Sequence, residues 1–246
     1  MQTLAYFKAA WYNASHVSKL PTESWSYGVL VRLFFISLLL VAQTVSSTSQ
    51  KNELSILNDA LVKLKAKPIE ILLDKTVKLS LLERETLEKG RLFLKPNRLR
   101  VELKGEIKTL FVFDGKNFWV QQDKPKDLGG GILVTKIVGT KLKTNSVFKL
   151  FLSEQPISSA FNFVKTEKSK EGVTYFLQPT KAEDFPDAVS LKIFVSQKNQ
   201  TIQQMSYVDE LENETTYKFL NQKQLKSIAK AKFTYAPPKG SEVTEL

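Results

Sequence analysis

Residues Arg98-Leu99-Arg100-Val101-Glu102-Leu103-Lys104 alternate charged and apolar side chains without a break. Successive side chains of an extended chain point to opposite faces. The stretch therefore predicts a strand with Leu99, Val101 and Leu103 on a core and Arg100 and Glu102 toward water. The same period of two extends to either side, over Ile69–Ser80 and Glu83–Lys95 before it and Ile107–Phe113 and Asn117–Gln122 after it. Lys95-Pro96-Asn97, Lys104-Gly105 and Asp114-Gly115 supply the turns, and Asp-Gly between two apolar runs is a strong hairpin signal. Further on, Ala160–Thr166, Val173–Pro179, Val189–Ser196, Ile202–Val208, Glu214–Gln222 and Lys230–Ala236 read the same way, while 132–141 reads as a strand or an extended arm. About eleven short, turn-linked strands predict a mainly β protein built on an antiparallel sheet or barrel.

Two segments break the pattern. Leu54, Leu57, Leu61 and Leu64 recur at helical spacing after Ser49, a suitable N-cap, and Pro68 ends the run. Asn145–Glu154 contains Val147, Phe148, Leu150, Phe151 and Leu152, apolar on more than one face, so this short helix must be buried or must cover something apolar. A curved sheet has an inner face that needs filling, and these two helices are the candidates to fill it.

The counts of reactive residues exclude much chemistry. The 246 residues include no Cys and one His, His16. No disulfide framework, thiolate nucleophile or Cys-ligated metal can be built. His16 precedes the apolar run Leu33–Ala42, which Ser37 alone interrupts; Arg32 stands directly before the run and Val45-Ser46-Ser47 follow it. A basic residue, an apolar stretch shorter than the roughly 20 residues that span a bilayer, and a small-residue exit are the parts of a secretory signal peptide. Cleavage is expected near Ser47, giving a leader over 1–47 and one domain over 48–246. The residues ahead of the run are longer than an ordinary leader needs, and one reading places the true start near Val29 or Leu30. Without the leader the domain has no His, so a Ser-His-Asp triad and a His-ligated metal are excluded within it. The expectation is a protein without cofactor, metal site or catalysis. Of the formal charge of +11, the mature domain keeps 33 basic against 24 acidic residues. Nucleic acid is not the expected partner, because export removes the chain from it and the aromatics do not interleave with the lysine clusters.

Several ordered segments carry a family resemblance: Gly90–Asn97 (GRLFLKPN), Arg98–Glu102, Phe113–Trp119 (FDGKNFW), Val189–Ile193, Asn213–Tyr217 and Lys232–Gly240 (KFTYAPPKG). Together they resemble the outer-membrane lipoprotein carriers of the LolA type. The resemblance implies an incomplete antiparallel β-barrel, with short helices as a lid over an apolar cavity for acyl chains. It implies a periplasmic monomer that takes acylated lipoproteins from an inner-membrane ABC transporter to an outer-membrane acceptor. On this chain the cavity is expected to be lined by Leu57, Leu61, Leu92, Leu94, Leu99, Val101, Leu103, Val147, Leu150 and Phe151. Two basic residues commonly precede the proline in the family, the second often an Arg that bonds to the lid. Here Lys95 alone precedes Pro96 and is the expected lid contact, without the planar fork of Arg. The absent Cys separates the chain from the lipid-anchored receptor of the same fold. Two other uses of that fold remain as alternatives: a carrier of another amphiphile such as a glycolipid, and a periplasmic lipid-sensing signalling module.

Overall fold

The structure, a computed structural model, describes residues 54–126, 129–138 and 146–246. Met1–Ser47 and Thr48–Leu246 separate into two units, and the described residues belong to the second. The expected leader and the side chain of Val147 lie outside the described residues.

The leucine stripe forms a helix, α1, over residues 54–65. Six strands follow: β1 (Ile69–Leu79), β2 (Arg84–Lys95), β3 (Arg98–Lys104), β4 (Thr109–Phe113), β5 (Asn117–Asp123) and β6 (Ile132–Val138). A second helix, α2 (Ser146–Leu152), precedes β7 (Phe161–Lys168), β8 (Gly172–Pro179), β9 (Ser190–Ser196), β10 (Ile202–Val208), β11 (Glu214–Gln224) and β12 (Glu242–Glu245). All twelve strands make one sheet in the order β12-β6-β5-β4-β3-β2-β1-β11-β10-β9-β8-β7. Its terminal strands β12 and β7 do not pair with each other, so the sheet is open and the barrel incomplete. Every pairing is antiparallel except that of β12 with β6.

The alternation at 98–104 survives in three dimensions: Leu99, Val101 and Leu103 are buried while Arg100 and Glu102 are partly exposed. One core cluster gathers inner-face residues from β1 through β11 together with Leu57, Leu61 and Leu64 of α1 and Phe148, Leu150 and Phe151 of α2. Strands far apart in the order, such as β5 (Phe118) and β7 (Phe161), join that same cluster, so the sheet curls around the two helices. Register shifts in β1, β7 and β10 add local twist where a flat sheet would leave the helices uncovered. Gly90 lets β2 and β3 approach: a Cβ there would collide with the backbone carbonyl oxygen of Glu102.

One expectation needs correction. Lys230–Ala236 is not a strand. Lys230–Phe233 is a short 3-10 helix in a segment that crosses the outer face of the sheet. Lys95 of β2 donates to the Ile228 carbonyl (3.4 Å), Arg100 of β3 donates to the Lys232 carbonyl (3.4 Å), and the Tyr235 hydroxyl bonds Gln121 of β5 (3.0 Å). The segment thus steps across strands where a strand would run along one. The alternation at Phe233 and Tyr235 reflects side chains that face the sheet, with Phe233 fully buried and Tyr235 against Trp119 (5.2 Å between rings). The chain then lays β12 along β6, a short polar strand (Glu-Val-Thr-Glu) whose sequence carries no apolar alternation.

Charge holds this strap. Glu102 accepts from Arg100 (2.6 Å) and from Lys232 (2.9 Å), and the Lys232 ammonium lies 4.1 Å from the centre of the Phe93 ring. Burial pushes the Glu102 carboxyl up, but the hydrogen bonds and charges of Arg100 and Lys232 outweigh it and leave it below its ordinary 4.5. Asp114 at the β4–β5 turn behaves alike. Burial raises it, while the backbone N–H groups of Asn117 and Lys116 and the Trp119 indole hold it below 3.8.

A carboxylate whose folded pKa is depressed contributes stability that is complete above its unfolded pKa and is lost as pH falls through the folded one. Thermal melts should therefore be flat from about pH 5.5 to about 8 and decline as the pH falls further, and Glu102→Gln should make that decline shallower. Gly90→Ala should lower stability by about 2–3 kcal/mol in denaturant titrations, because backbone has to move to admit the methyl.

Candidate functional site

The inner face of the sheet is an apolar trough, and the helices sit in it. Leu92 and Leu94 of β2, Leu99, Val101 and Leu103 of β3, Leu57 and Leu61 of α1, and Leu150 and Phe151 of α2 are each exposed by 5% or less. The structure brings all of these expected lining residues into one cluster. In this state their neighbours are each other, so the trough is filled with protein. Among the described residues the buried polar side chains are Thr109, Ser206 and Thr215, besides the tyrosines Tyr175 and Tyr217. Tyr217 is pushed well above its ordinary pKa by burial and then by the neighbouring Tyr207, so it stays neutral. An interior of this kind offers dispersion and the hydrophobic effect and very little polar recognition.

α2 has seven residues and cannot hold itself as a helix in water. Aromatic contacts to the trough walls hold it. Phe148 packs on Phe111 of β4 (5.2 Å between rings) and edge-on to Tyr217 of β11 (5.6 Å), and Phe151 packs edge-on to Phe219 of β11 (6.0 Å). Polar stitches tie the helices to one another and to their surroundings. Lys65 of α1 donates to the carbonyls of Ser153 (2.6 Å) and Leu150 (3.4 Å) at the C-terminal end of α2. Asn58 of α1 accepts from the Ile157 N–H (2.8 Å), and Lys149 of α2 donates to the Asp184 carbonyl (2.7 Å). Burial lowers the Lys65 pKa, with Glu154 acting in the opposite direction.

Between these stitches a cleft of about 440 Å³ opens beside the helices. Its walls include Leu61 and Leu150, the two expected lining residues that reach it, with Ile157 and Phe185 as further apolar wall and Lys65 and Lys149 at its side. A second hollow of about 70 Å³ lies between α1 and the strands, against Leu64, Ile69 and Ile202.

The match between this architecture and known proteins is at the level of family. A family model described as outer membrane lipoprotein carrier protein LolA matches residues 76–236. The chain belongs to this family. An outer-membrane lipoprotein carrier protein from Chromobacterium violaceum is 27% identical over 157 residues, which is 63% of this chain and 70% of that protein. Among solved structures, a LolA superfamily protein from Nitrosomonas europaea shares 12% identity, with 74% of this chain and 96% of that one aligned at a TM-score of 0.39. An uncharacterized conserved protein from Thermus thermophilus shares 13% identity, with 78% of this chain and 98% of that one aligned at a TM-score of 0.44.

Lys95 meets the C-terminal strap. Besides its bond to Ile228, its ammonium lies 5.0 Å from the centre of the Phe233 ring, on the outer face of the sheet. The side chain that joins helix to helix is Lys65. In the sequence it reads only as a dipole-compensating lysine in the last turn of α1. Phe148, Tyr217 and Phe219 as wall contacts, and Ile157 and Phe185 as cleft residues, are likewise absent from the expected set. Phe148 is visible in the apolar run beside Val147; Ile157 and Phe185 sit in irregular segments where no period points inward.

Removing the stitch is a direct test of how α2 is held. Lys65→Ala should lower stability by about 1–2 kcal/mol and should speed amide hydrogen exchange and proteolysis selectively across residues 146–153.

Proposed function

We propose that the trough holds the acyl chains of lipoproteins released from the inner membrane and that the protein carries them across the periplasm to the outer membrane without catalysis. The observation that carries this reading is the pairing of an apolar trough with a filling made of two helices and not of the sheet's own side chains. The trough is lined by aliphatic side chains of β2 and β3 and is covered by two short helices that depend on it for their own order. Acyl chains need only apolar surface, and each methylene taken out of water contributes about 0.8 kcal/mol.

Binding is an exchange. The chains replace helix side chains such as Leu57, Leu61, Leu150 and Phe151, which are already out of water in the empty protein. The net gain is the cargo's own desolvation less the cost of moving the helices. Such a balance gives affinity that another apolar acceptor can overcome without ATP. The cleft beside α1 and α2 is the natural place for a chain to start displacing them, since Leu61 and Leu150 are reached from it. The family to which the chain belongs supports the lipoprotein as cargo. The inner-membrane ABC transporter as donor, an outer-membrane acceptor and a monomeric carrier complete the proposal.

The test is to isolate the protein from periplasm and identify co-purifying species by mass spectrometry. Acylated proteins are expected with the wild type, and the double substitution Leu61→Glu, Leu150→Glu should reduce them by about tenfold or more while the far-ultraviolet circular dichroism stays that of the sheet. Free glycolipid in place of acylated protein would move the assignment to another amphiphile. Recovery of the same acylated proteins with the double variant would overturn the trough as the binding site.

A further inference from the structure

The two most exposed large apolar side chains among the described residues stand side by side at one hairpin tip. Leu81 is 80% exposed and Leu82 is 70% exposed, both in the short 3-10 turn Ser80–Leu82 that joins β1 to β2. On the β3 side the ladder ends early. β3 pairs with β2 only from Lys89 onward, and past that point the β3–β4 turn runs alongside, with Gly105 against Glu88 and Glu106 paired to Arg84, so residues 80–82 lie beyond the last strand pairing. Leu87 is 54% exposed.

The turn is also held in shape. β1 and β2 stay in register up to the Leu79–Arg84 pair, Glu83 closes the turn in the left-handed region (φ 48°), and the Ser80 N–H donates to the Asn213 side chain (3.0 Å). That last bond ties the tip to the neighbouring β10–β11 turn, whose Leu211 is itself 61% exposed. Three leucines are thus presented to water on two linked turns at one end of the sheet.

We propose that this tip is a membrane-contact site that inserts Leu81 and Leu82 into the interface of a lipid bilayer. Size and shape choose the partner. Three leucines exposed to this degree offer roughly 200–300 Å² of apolar surface, well short of the roughly 600 Å² per partner that a specific protein interface needs. An apolar tip fits a soft interface that opens around it. The flanking charges lean acidic: Lys78 faces Glu85 (3.8 Å) and Arg84 pairs with Glu106 (2.6 Å), Glu83 stands beside them, and exposed Glu210 and Glu212 flank Leu211. The long side chains of Lys78 and Arg84 suit the headgroup layer, where a charge stays hydrated while its stem lies on hydrocarbon. With no excess of cations at the tip, contact rests on the leucines, and a few leucines give weak and reversible attachment. The proposal is independent of what the trough holds.

Flotation of the purified protein with phosphatidylcholine vesicles tests it. The wild type should float with them, and its partition should not rise when phosphatidylglycerol is added, since the carboxylates around the tip repel an anionic surface and salt screens that repulsion. Leu81→Ser with Leu82→Ser should reduce partition by about tenfold, with a melting temperature within about 2 °C of wild type, since both sites are exposed. Val164→Ser with Leu220→Ser, exposed positions away from the tip, should partition like wild type. Absence of flotation, or flotation unchanged in L81S/L82S, overturns the proposal. So does binding that appears only with phosphatidylglycerol and vanishes in salt, which would place it on the basic surface. A wild-type dimer in sedimentation velocity that L81S/L82S dissolves would make the tip a contact between copies and would also overturn it. Acylated species co-purifying from periplasm should be unchanged in L81S/L82S, so a failure here leaves the assignment of the trough standing.

Discussion

The inner face of an open, curled sheet has to be covered, and that need organises the rest of the protein. A closed barrel of many strands can keep its interior filled by its own side chains. Here β12 and β7 remain apart, and inner-face residues from β1 to β11 converge on a hollow that the strands alone leave empty. Leucine, valine and phenylalanine facing water over that area would drive aggregation. The two helices remove that surface from water and gain their own stability in doing so. α2 shows the dependence most clearly: with seven residues it is held by aromatic rings on both walls of the trough and by one lysine from α1.

The two faces of the sheet are covered in different ways. On the inner face the cover is apolar, short and stitched by a few side-chain bonds to backbone carbonyls. On the outer face the cover is the C-terminal strap, fastened at successive strands by Lys95, the Arg100–Glu102–Lys232 cluster and Tyr235, and finished by β12 in the sheet itself. The outer cover ends in the hydrogen-bonded ladder of the sheet itself, and the helices are not part of that ladder. If one cover is to leave while the sheet persists, the inner one is the candidate.

How far this was legible from the sequence depended on whether a pattern faced one direction. The strand at 98–104 could be read residue by residue, because a half-buried strand writes its burial as strict alternation. The leucine stripe of α1 was equally plain. The strap was misread for the same reason that the strands were read well. Phe233 and Tyr235 alternate because they face a sheet, and alternation does not say whether a chain lies in a sheet or across one. β12 was missed because its pairing is made by backbone and its side chains are all exposed. The expected lining residues could be picked out as a set because they are apolar and periodic, and those described share one buried cluster. The cleft was not, since its walls come from α1, from α2 and from the irregular stretch around Pro156 and Phe185, which meet only after folding. Lys65 illustrates the limit. A lysine in the last turn of a helix suits its dipole in any fold, and that it reaches a second helix 85 and 88 residues away is a fact of tertiary structure.

A carrier has to bind tightly enough to keep acyl chains from water and loosely enough to give them up. A rigid preformed pocket achieves the first at the expense of the second. In this protein the space inside the curled sheet is not an open pocket. It is a filled core in which helix side chains stand where acyl chains would stand. Entry and exit then replace one set of methylenes by another, and the large hydrophobic terms nearly cancel. What remains is small and adjustable: the lysine and asparagine stitches of the helices, the aromatic contacts of Phe148 and Phe151, and the shape of the cleft. Under the proposed function those groups would set the affinity, and Leu99, Val101 and Leu103 would set only the class of molecule that is accepted. Replacing a wall leucine by another aliphatic residue should therefore matter less to cargo exchange than loosening the bonds that hold α2 in place.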